Sequence, residues 1–275
     1  MCPRLFQIGP FTVYGYGLML ALGFIAGSYL LVHEFKRRKI DPNIANNITL
    51  IALVAGVAGS KILFLIENWS SFIADPFGMA FSPTGLTFYG GFLLATFSIY
   101  IYGRKKRISF FTLGDAIAPG LMIGYGIGRI GCHLAGDGDY GFPTTLPWGT
   151  DYSNGTYPPS VAFKDFPEIT SRFPGGIVPN TIPCHPTPVY ELILCACMCW
   201  ILWRIRKNTT PAGKLFMIFL LFTGIERFAI EFLRPNPRII FGLSEAQIIA
   251  FILMVVGLSG WWKFTTSSQV SKTKS

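Results

Sequence analysis

Long apolar stretches alternate with short basic ones along almost the whole chain. Three windows, 14–32, 85–103 and 246–262, contain no charged residue at all. A membrane-crossing helix needs about 20 such residues, because the hydrocarbon core is about 30 Å thick and a helix rises about 1.5 Å per residue. Four further windows are apolar but carry ionisable groups. These are 48–66 with Lys61, 110–128 with Asp115 and with Arg129 directly after it, 186–203 with Glu191, and 215–233 with Glu226, Arg227 and Glu231. The pattern predicts an all-α polytopic membrane protein of seven transmembrane helices, a single integral membrane domain over 1–275. One connection breaks the rhythm. Residues 131–187 hold 9 of the 19 prolines, which predicts a small extracytoplasmic head between spans four and five.

Lys and Arg set the orientation, because they accumulate in cytoplasmic loops. Four follow span one (Lys36, Arg37, Arg38, Lys39) and four follow span three (Arg104, Lys105, Lys106, Arg107). Arg204, Arg206, Lys207 and Lys214 lie between spans five and six, and Lys263, Lys272 and Lys274 follow span seven. The opposite side carries Arg4, Lys164, Arg172, Arg234 and Arg238. The N-terminus is therefore expected outside and the C-terminus inside. The first span is not expected to be a cleavable signal peptide, since it lacks a basic n-region and an A-x-A-like site. Cys2 directly follows Met1, so it is not expected to be the cleavage cysteine of a lipoprotein.

Composition agrees with this reading. Only 13% of the 275 residues are charged, against roughly 25% in soluble domains, and the mean hydropathy is +0.47. A soluble globular fold and a disordered chain are both excluded. The net charge of +9 is explained by the basic loops, so no nucleic-acid partner is implied. Small residues four apart, Gly120, Gly124 and Gly128 in span four and Ala52, Gly56 and Ser60 in span two, predict close helix packing.

The chemistry is expected where polar groups persist in apolar surroundings, since ionisable residues inside a membrane are costly. In the predicted orientation Arg129 ends span four on the outer side. Arg227, Glu231 and Arg234 fall on one face of the outer half of span six. Tyr16 opens span one, Tyr89 enters with span three, and His185, Tyr190 and Glu191 open span five, all from the same side. Arginines at headgroup depth suit phosphate, which guanidinium binds bidentately. The plain alternative is an internal Arg227–Glu231 ion pair, with Arg129 snorkelling to the interface.

Five blocks of sequence resemble the prolipoprotein diacylglyceryl transferases of bacteria. They are Gly9-Pro-Phe-Thr-Val-Tyr-Gly-Tyr-Gly-Leu-Met19, Thr87-Phe-Tyr-Gly-Gly91, Gly128-Arg-Ile-Gly-Cys-His-Leu-Ala-Gly-Asp-Gly-Asp139, His185-Pro-Thr-Pro-Val-Tyr-Glu191 and Glu226-Arg-Phe-Ala-Ile-Glu-Phe-Leu-Arg234. The resemblance implies a bacterial inner-membrane enzyme with its site towards the outer leaflet. Its donor would be phosphatidylglycerol and its acceptor the lipobox cysteine of a preprolipoprotein signal peptide, with glycerol 1-phosphate released and no cofactor. By the same resemblance Arg129 and Arg227 are catalytic, and Tyr89 occupies the catalytic position of the third-span block. Arg129, Tyr16, Tyr190, Glu191, Glu231 and Arg234 are implied to bind substrate. Tyr89 stands where many members carry His, and a phenol titrates near 10 against about 6.5 for imidazole. His133 or Asp137 is therefore left to supply the base.

The remaining signals are weaker. Asp137-Gly-Asp139 has a trace of a Ca²⁺ loop but lacks its further ligands, so no metal site is expected. Cys132 and Cys184 both fall on the outer side, and their spacing leaves pairing open. Two other classes compete. A phospholipid-dependent transferase without a protein acceptor would share the phosphate site. A transporter is disfavoured, because its polar groups would gather near the midplane. No G-x-S-x-G or H-E-x-x-H protease signature occurs.

Overall fold

The computed structural model describes residues 3–9, 11–82 and 85–273. Met1, Cys2, Pro10 and Lys274, which enter the sequence arguments above, lie outside them. In chain order the elements are β1 (Arg4–Ile8), β2 (Phe11–Tyr14), α1 (Gly15–Arg37), α2 (Pro42–Glu67), α3 (Trp69–Ala74) and α4 (Pro76–Phe81). There follow α5 (Phe88–Lys105), α6 (Phe110–Ala135), β3 (Thr150–Asp151), α7 (Pro159–Ala162), α8 (Pro167–Thr170) and β4 (Pro183–Cys184). The last helices are α9 (Thr187–Ile205), α10 (Lys214–Ile230) and α11 (Glu245–Thr273).

Each of the seven apolar windows coincides with a helix. Five of these, α1, α2, α6, α9 and α11, are long and apolar enough to cross a membrane. The other two are shorter: α5 has 18 residues and α10 has 17, extended by a 3-10 turn at Glu231–Leu233. The loop between α2 and α5 holds two short helices that hydrophobic periodicity does not reveal. Asp75 separates them and caps α4, its Oδ1 accepting from Gly78 N at 2.9 Å, with Pro76 in the first turn.

The chain divides into two compact units. The first comprises residues up to Leu30 and those from Ile117 onward. Its apolar core joins Met122 of α6, Cys195, Cys199 and Leu202 of α9, and Leu215 of α10. The Cys199 thiol donates to the Pro119 carbonyl at 3.3 Å, tying α9 to α6. Helix α1 crosses α6 backbone to backbone. A Cβ on Gly23 would stand 2.9 Å from Gly124 O, and one on Gly120 would stand 2.8 Å from Gly27 O. Thus two of the three glycines in the span-four stripe are packing residues, whereas Gly128 has no neighbour within 4 Å of a built Cβ. On the other flank Gly224 of α10 lies against Ala250 O, and Gly257 of α11 against Leu221 N, both at 2.6 Å from a built Cβ.

The expected head loop starts later than its proline content suggests, because α6 stays helical to Ala135. Residues 136–186 have a small core of their own, in which Tyr140, Tyr152, Phe163, Ile169, Val178 and Cys184 are buried together. Tyr140 and Tyr152 stack at 4.1 Å, and Tyr140 Oη donates to Tyr157 O at 2.7 Å. Cys132 and Cys184 do not pair; both are free thiols. Cys184 is fully enclosed in the aromatic core, and burial pushes its thiol up to about 12. Cys132 instead lies beside Arg129, whose Nη1 is 3.8 Å from its sulfur.

The second unit, Leu31–Ala116, pairs α2 with α5. Gly59 and Gly90 face each other so closely that a Cβ on either would overlap the other's carbonyl, and Gly91 packs on Gly56 O. The span-two stripe is therefore a helix interface. Buried Glu34 accepts from Arg37 Nε at 2.9 Å and Arg38 Nε at 2.7 Å, and Arg38 Nη2 lies 4.0 Å from buried Asp115. Tyr89 belongs to this unit. It is half exposed in the first turn of α5, with its ring edge-on to Phe88 at 5.8 Å.

The glycine contacts predict that Gly23→Val destabilises the protein by about 1–3 kcal/mol through overpacking. Gly128→Ala, with open space around it, should leave the thermal midpoint in detergent equal or higher.

Candidate active site

Four segments of the first unit bring charged side chains together. Arg129 lies near the end of α6 and Glu191 near the start of α9. Arg227 lies in the last turn of α10. After Ile230 that helix tightens into a 3-10 turn carrying Glu231, and Arg234 then adopts extended backbone (φ −101°, ψ 140°). The cause is Pro235, which disfavours helical geometry in the residue before it. Arg234 thus leaves the helical face on which simple periodicity would put it.

Glu191 is the hub. It is 0% exposed and receives three guanidinium groups. Arg129 Nε pairs with its Oε2. Arg227 Nη1 and Arg234 Nη1 lie 3.7 and 3.4 Å from its Oε1. Asp139 forms a second bridge, pairing one oxygen with Arg129 Nη1 and the other with Arg234 Nη2. Arg227 Nη2 is also 3.1 Å from Glu231 Oε2. The Arg227–Glu231 ion pair of the plain alternative is present, but Arg129 is ion-paired to Glu191 and Asp139 and does not merely snorkel.

Glu231 is itself held from beyond the turn. Its Oε1 accepts from Asn236 Nδ2 at 2.6 Å and from Ser244 Oγ at 2.7 Å. Ser244 precedes α11 and shares a reciprocal capping box with Gln247: Gln247 N donates to Ser244 Oγ at 3.2 Å, and Ser244 N donates to Gln247 Oε1 at 3.1 Å. Arg238 Nη1 also donates to Gln247 Oε1, at 2.5 Å.

The three arginines face three carboxylates, so the set is near neutral while all are ionised. Hydrogen-bond capacity is not fully spent. Arg227 Nη1 and Arg234 Nε are buried without a hydrogen-bond partner among the described residues. Unspent guanidinium N–H groups in a dry site favour an incoming anion. Glu226, 1% exposed, adds a carboxyl whose Oε1 likewise has no hydrogen bond there.

Other predicted residues lie around this set. Tyr16 packs its backbone and ring on α6, 3.1 Å from a Cβ built on Gly131. Asp137 Oδ1 accepts from Asp139 N at 3.3 Å in a tight turn. Loss of solvation and the neighbouring Asp139 charge push Asp137 upward. Burial pushes Asp139 the same way, but Arg234 and Arg129 outweigh it and hold that carboxyl below its ordinary range. Two adjacent carboxyls are thereby driven apart in proton affinity. His133 Nδ1 is 2.9 Å from Tyr152 Oη and serves the aromatic core. Tyr190 Oη accepts from Trp148 Nε1 at 2.7 Å and lies 3.3 Å from His185 Nδ1. Cys132 Sγ and oxygens of Asp137 and Asp139 lie within 4.8 Å of one another. They suit a cation poorly, because Asp139 spends both oxygens on guanidinium groups.

Two participants carried no assigned role in the sequence. Asp139, not Asp137, is the direct partner of Arg129. Tyr125 receives Arg129 Nε and Nη2, both at 3.0 Å, with the guanidinium carbon 4.9 Å from its ring centre. Asp139 had no local signal, and Tyr125 had only its spacing, one turn before Arg129 on the same helical face.

Apolar helices long enough to span a bilayer, together with a buried arginine–carboxylate network, define a multi-pass helical membrane protein with a polar site inside it. The chain belongs to the prolipoprotein diacylglyceryl transferase family, whose sequence profile matches residues 3–263. It is 30% identical over 259 residues to a phosphatidylglycerol–prolipoprotein diacylglyceryl transferase of Clostridium tetani, covering 94% of this chain and 96% of the relative. It is 32% identical over 262 residues to the enzyme of that name from Dehalococcoides mccartyi, covering 93% and 91%. A Leptospira interrogans enzyme so named is 26% identical over 321 residues.

Glu191→Gln, which leaves buried guanidinium groups uncompensated, should cost about 3–5 kcal/mol of stability, measured by thermal unfolding in detergent. Acid should act through Asp139. Because its folded value is depressed, its ion pairs stabilise the fold at neutral pH and are lost as pH falls below about 4. Asp139→Asn should lower the midpoint at neutral pH and flatten its fall between about pH 5 and about pH 3.

Proposed function

We propose that this chain transfers the diacylglyceryl group of phosphatidylglycerol to the lipobox cysteine thiol of a preprolipoprotein, releasing glycerol 1-phosphate. The observation that carries the reading is the arginine trio around Glu191, with buried N–H groups of Arg227 and Arg234 left unspent. Family membership and the names of the relatives supply the substrates.

The reaction makes one bond and breaks one. Thiolate sulfur forms a bond to the sp³ glycerol carbon of the lipid while the C–O bond to phosphate breaks. The electron pair leaves on glycerol 1-phosphate. Arg129 and Arg227 bind the phosphate and stabilise the charge that grows on it. Arg234, Glu191 and Glu231 orient them, while Tyr16 and Tyr190 flank the donor. Asp137 takes the thiol proton. Its raised proton affinity supports that role, whereas His133 has one ring nitrogen engaged by Tyr152.

In this reading all seven helices cross the bacterial inner membrane, with the N-terminus outside. Residues 136–186 form the extracytoplasmic head, and the arginines open to the outer leaflet. The basic loops support this orientation.

Purified protein given phosphatidylglycerol and a lipobox peptide should release glycerol 1-phosphate only when the peptide cysteine is present. Release without the peptide would point to a lipid transferase lacking a protein acceptor, and no release would refute the assignment. Arg129→Ala should reduce turnover by roughly 100-fold or more. Asp137→Ala should fall further than His133→Ala; full activity in both would remove each from proton transfer.

A further inference from the structure

The most informative unassigned group is the Tyr125 hydroxyl. A guanidinium offers its Nε and Nη2 hydrogens as a parallel fork, the edge that fits two oxygens of a phosphate. In Arg129 the neutral Tyr125 Oη spans that fork, 3.0 Å from Nε and 3.0 Å from Nη2, and shares Nε with the ion-paired Glu191 Oε2. The Nη1 end is committed to Asp139. Of the partners of Arg129, Glu191 is 0% exposed, whereas the Asp139 side chain is 31% and Tyr125 38% exposed. Charge decides between the two that an incoming group can reach: Asp139 is ion-paired and the phenol is neutral. Displacing the phenol leaves no buried carboxylate without a counter-charge.

We infer that Tyr125 Oη is a placeholder: it occupies a phosphoryl-oxygen position on Arg129 and yields it when the phosphate of the donor lipid binds. Released from the fork, the phenol keeps an acceptor for its own proton in Glu191 Oε2, 3.5 Å away. Tyr125 is thus a positioning residue. It keeps the Arg129 plane satisfied and correctly turned before the lipid arrives, and it competes with the lipid for that plane. The inference rests on the phosphatidylglycerol reading given above.

Tyr125→Phe tests it, because the ring remains beneath the guanidinium while the competing oxygen is lost. With phosphatidylglycerol varied in mixed micelles and the lipobox peptide saturating, KM for the lipid should fall about fivefold, the order of one neutral hydrogen bond. A merely structural role would raise KM or lower the active fraction. An unchanged or higher KM, with wild-type protein active, overturns the inference. Inactive wild-type protein would instead overturn the assigned reaction. A second measurement covers poor folding of the variant. 3-Fluorotyrosine at position 125 should shift its ¹⁹F resonance on adding phosphatidylglycerol but not diacylglycerol, which lacks phosphate. No shift with phosphatidylglycerol, or the same shift with both lipids, overturns it.

Discussion

A carboxylate with no exposure at all, surrounded by three guanidinium groups, is the constraint to which the first unit is built. Glu191 alone inside apolar helices would be untenable, and so would any of the three arginines. Each charge is therefore conditional on the others, and the segments that carry them must meet. Helices α6, α9 and α10 and the turn after α10 are tied at one point by charge, and elsewhere by apolar packing around Cys195 and Leu215. The apolar contacts resemble any helix interface. The ionic hub selects one register among the many that packing alone would accept.

The residues around the hub divide into those that balance charge and those that set direction. Asp139 and Glu231 balance it, each reaching the arginines from a segment outside the regular helices. Asn236 and Ser244 set direction, because they fix the Glu231 carboxylate from the far side. His133 faces the other way and joins the end of α6 to the aromatic core of residues 136–186 through Tyr152. One short stretch of α6 thus serves both the ionic hub and attachment: Arg129 points to the ions and His133 to the stacked tyrosines. That division explains why two residues a single turn apart have such different surroundings.

Much of this was legible in the sequence, for physical reasons. Apolar length marks a helix in lipid whatever its partners, so each apolar window found its helix. Arg129, Arg227, Glu191, Glu231 and Arg234 were visible because charge in an apolar run needs an explanation. Their pairings were not visible. Asp139 stands ten residues from Arg129 around a glycine turn, and nothing local separates it from Asp137. Tyr125 was hidden because an aromatic residue in an apolar helix signals nothing by itself. The two short helices α3 and α4 escaped because six residues are too few for a period to show. The glycine stripes were read as packing, and which glycine meets which required coordinates: Gly128 shares the spacing of Gly124, yet a Cβ built on it would meet no neighbouring element.

The capping box at the start of α11 has a consequence of its own. Ser244 and Gln247 each satisfy the other's backbone N–H at the start of that helix, and Ser244 also grips Glu231. The distance along the chain from Glu231 to Ser244 is thereby metered, with both ends clamped to one carboxylate. A residue added or removed in that span would not simply lengthen or shorten a surface loop. It would pull on the carboxylate that orients Arg227. Segment 136–186 is tied to the hub near its start by the ion pairs of Asp139, but beyond that residue it has its own core and can change outline with far less disturbance to the ions. Variation in this protein should therefore be asymmetric, with freedom in the long proline-rich connection and strict length in the short one.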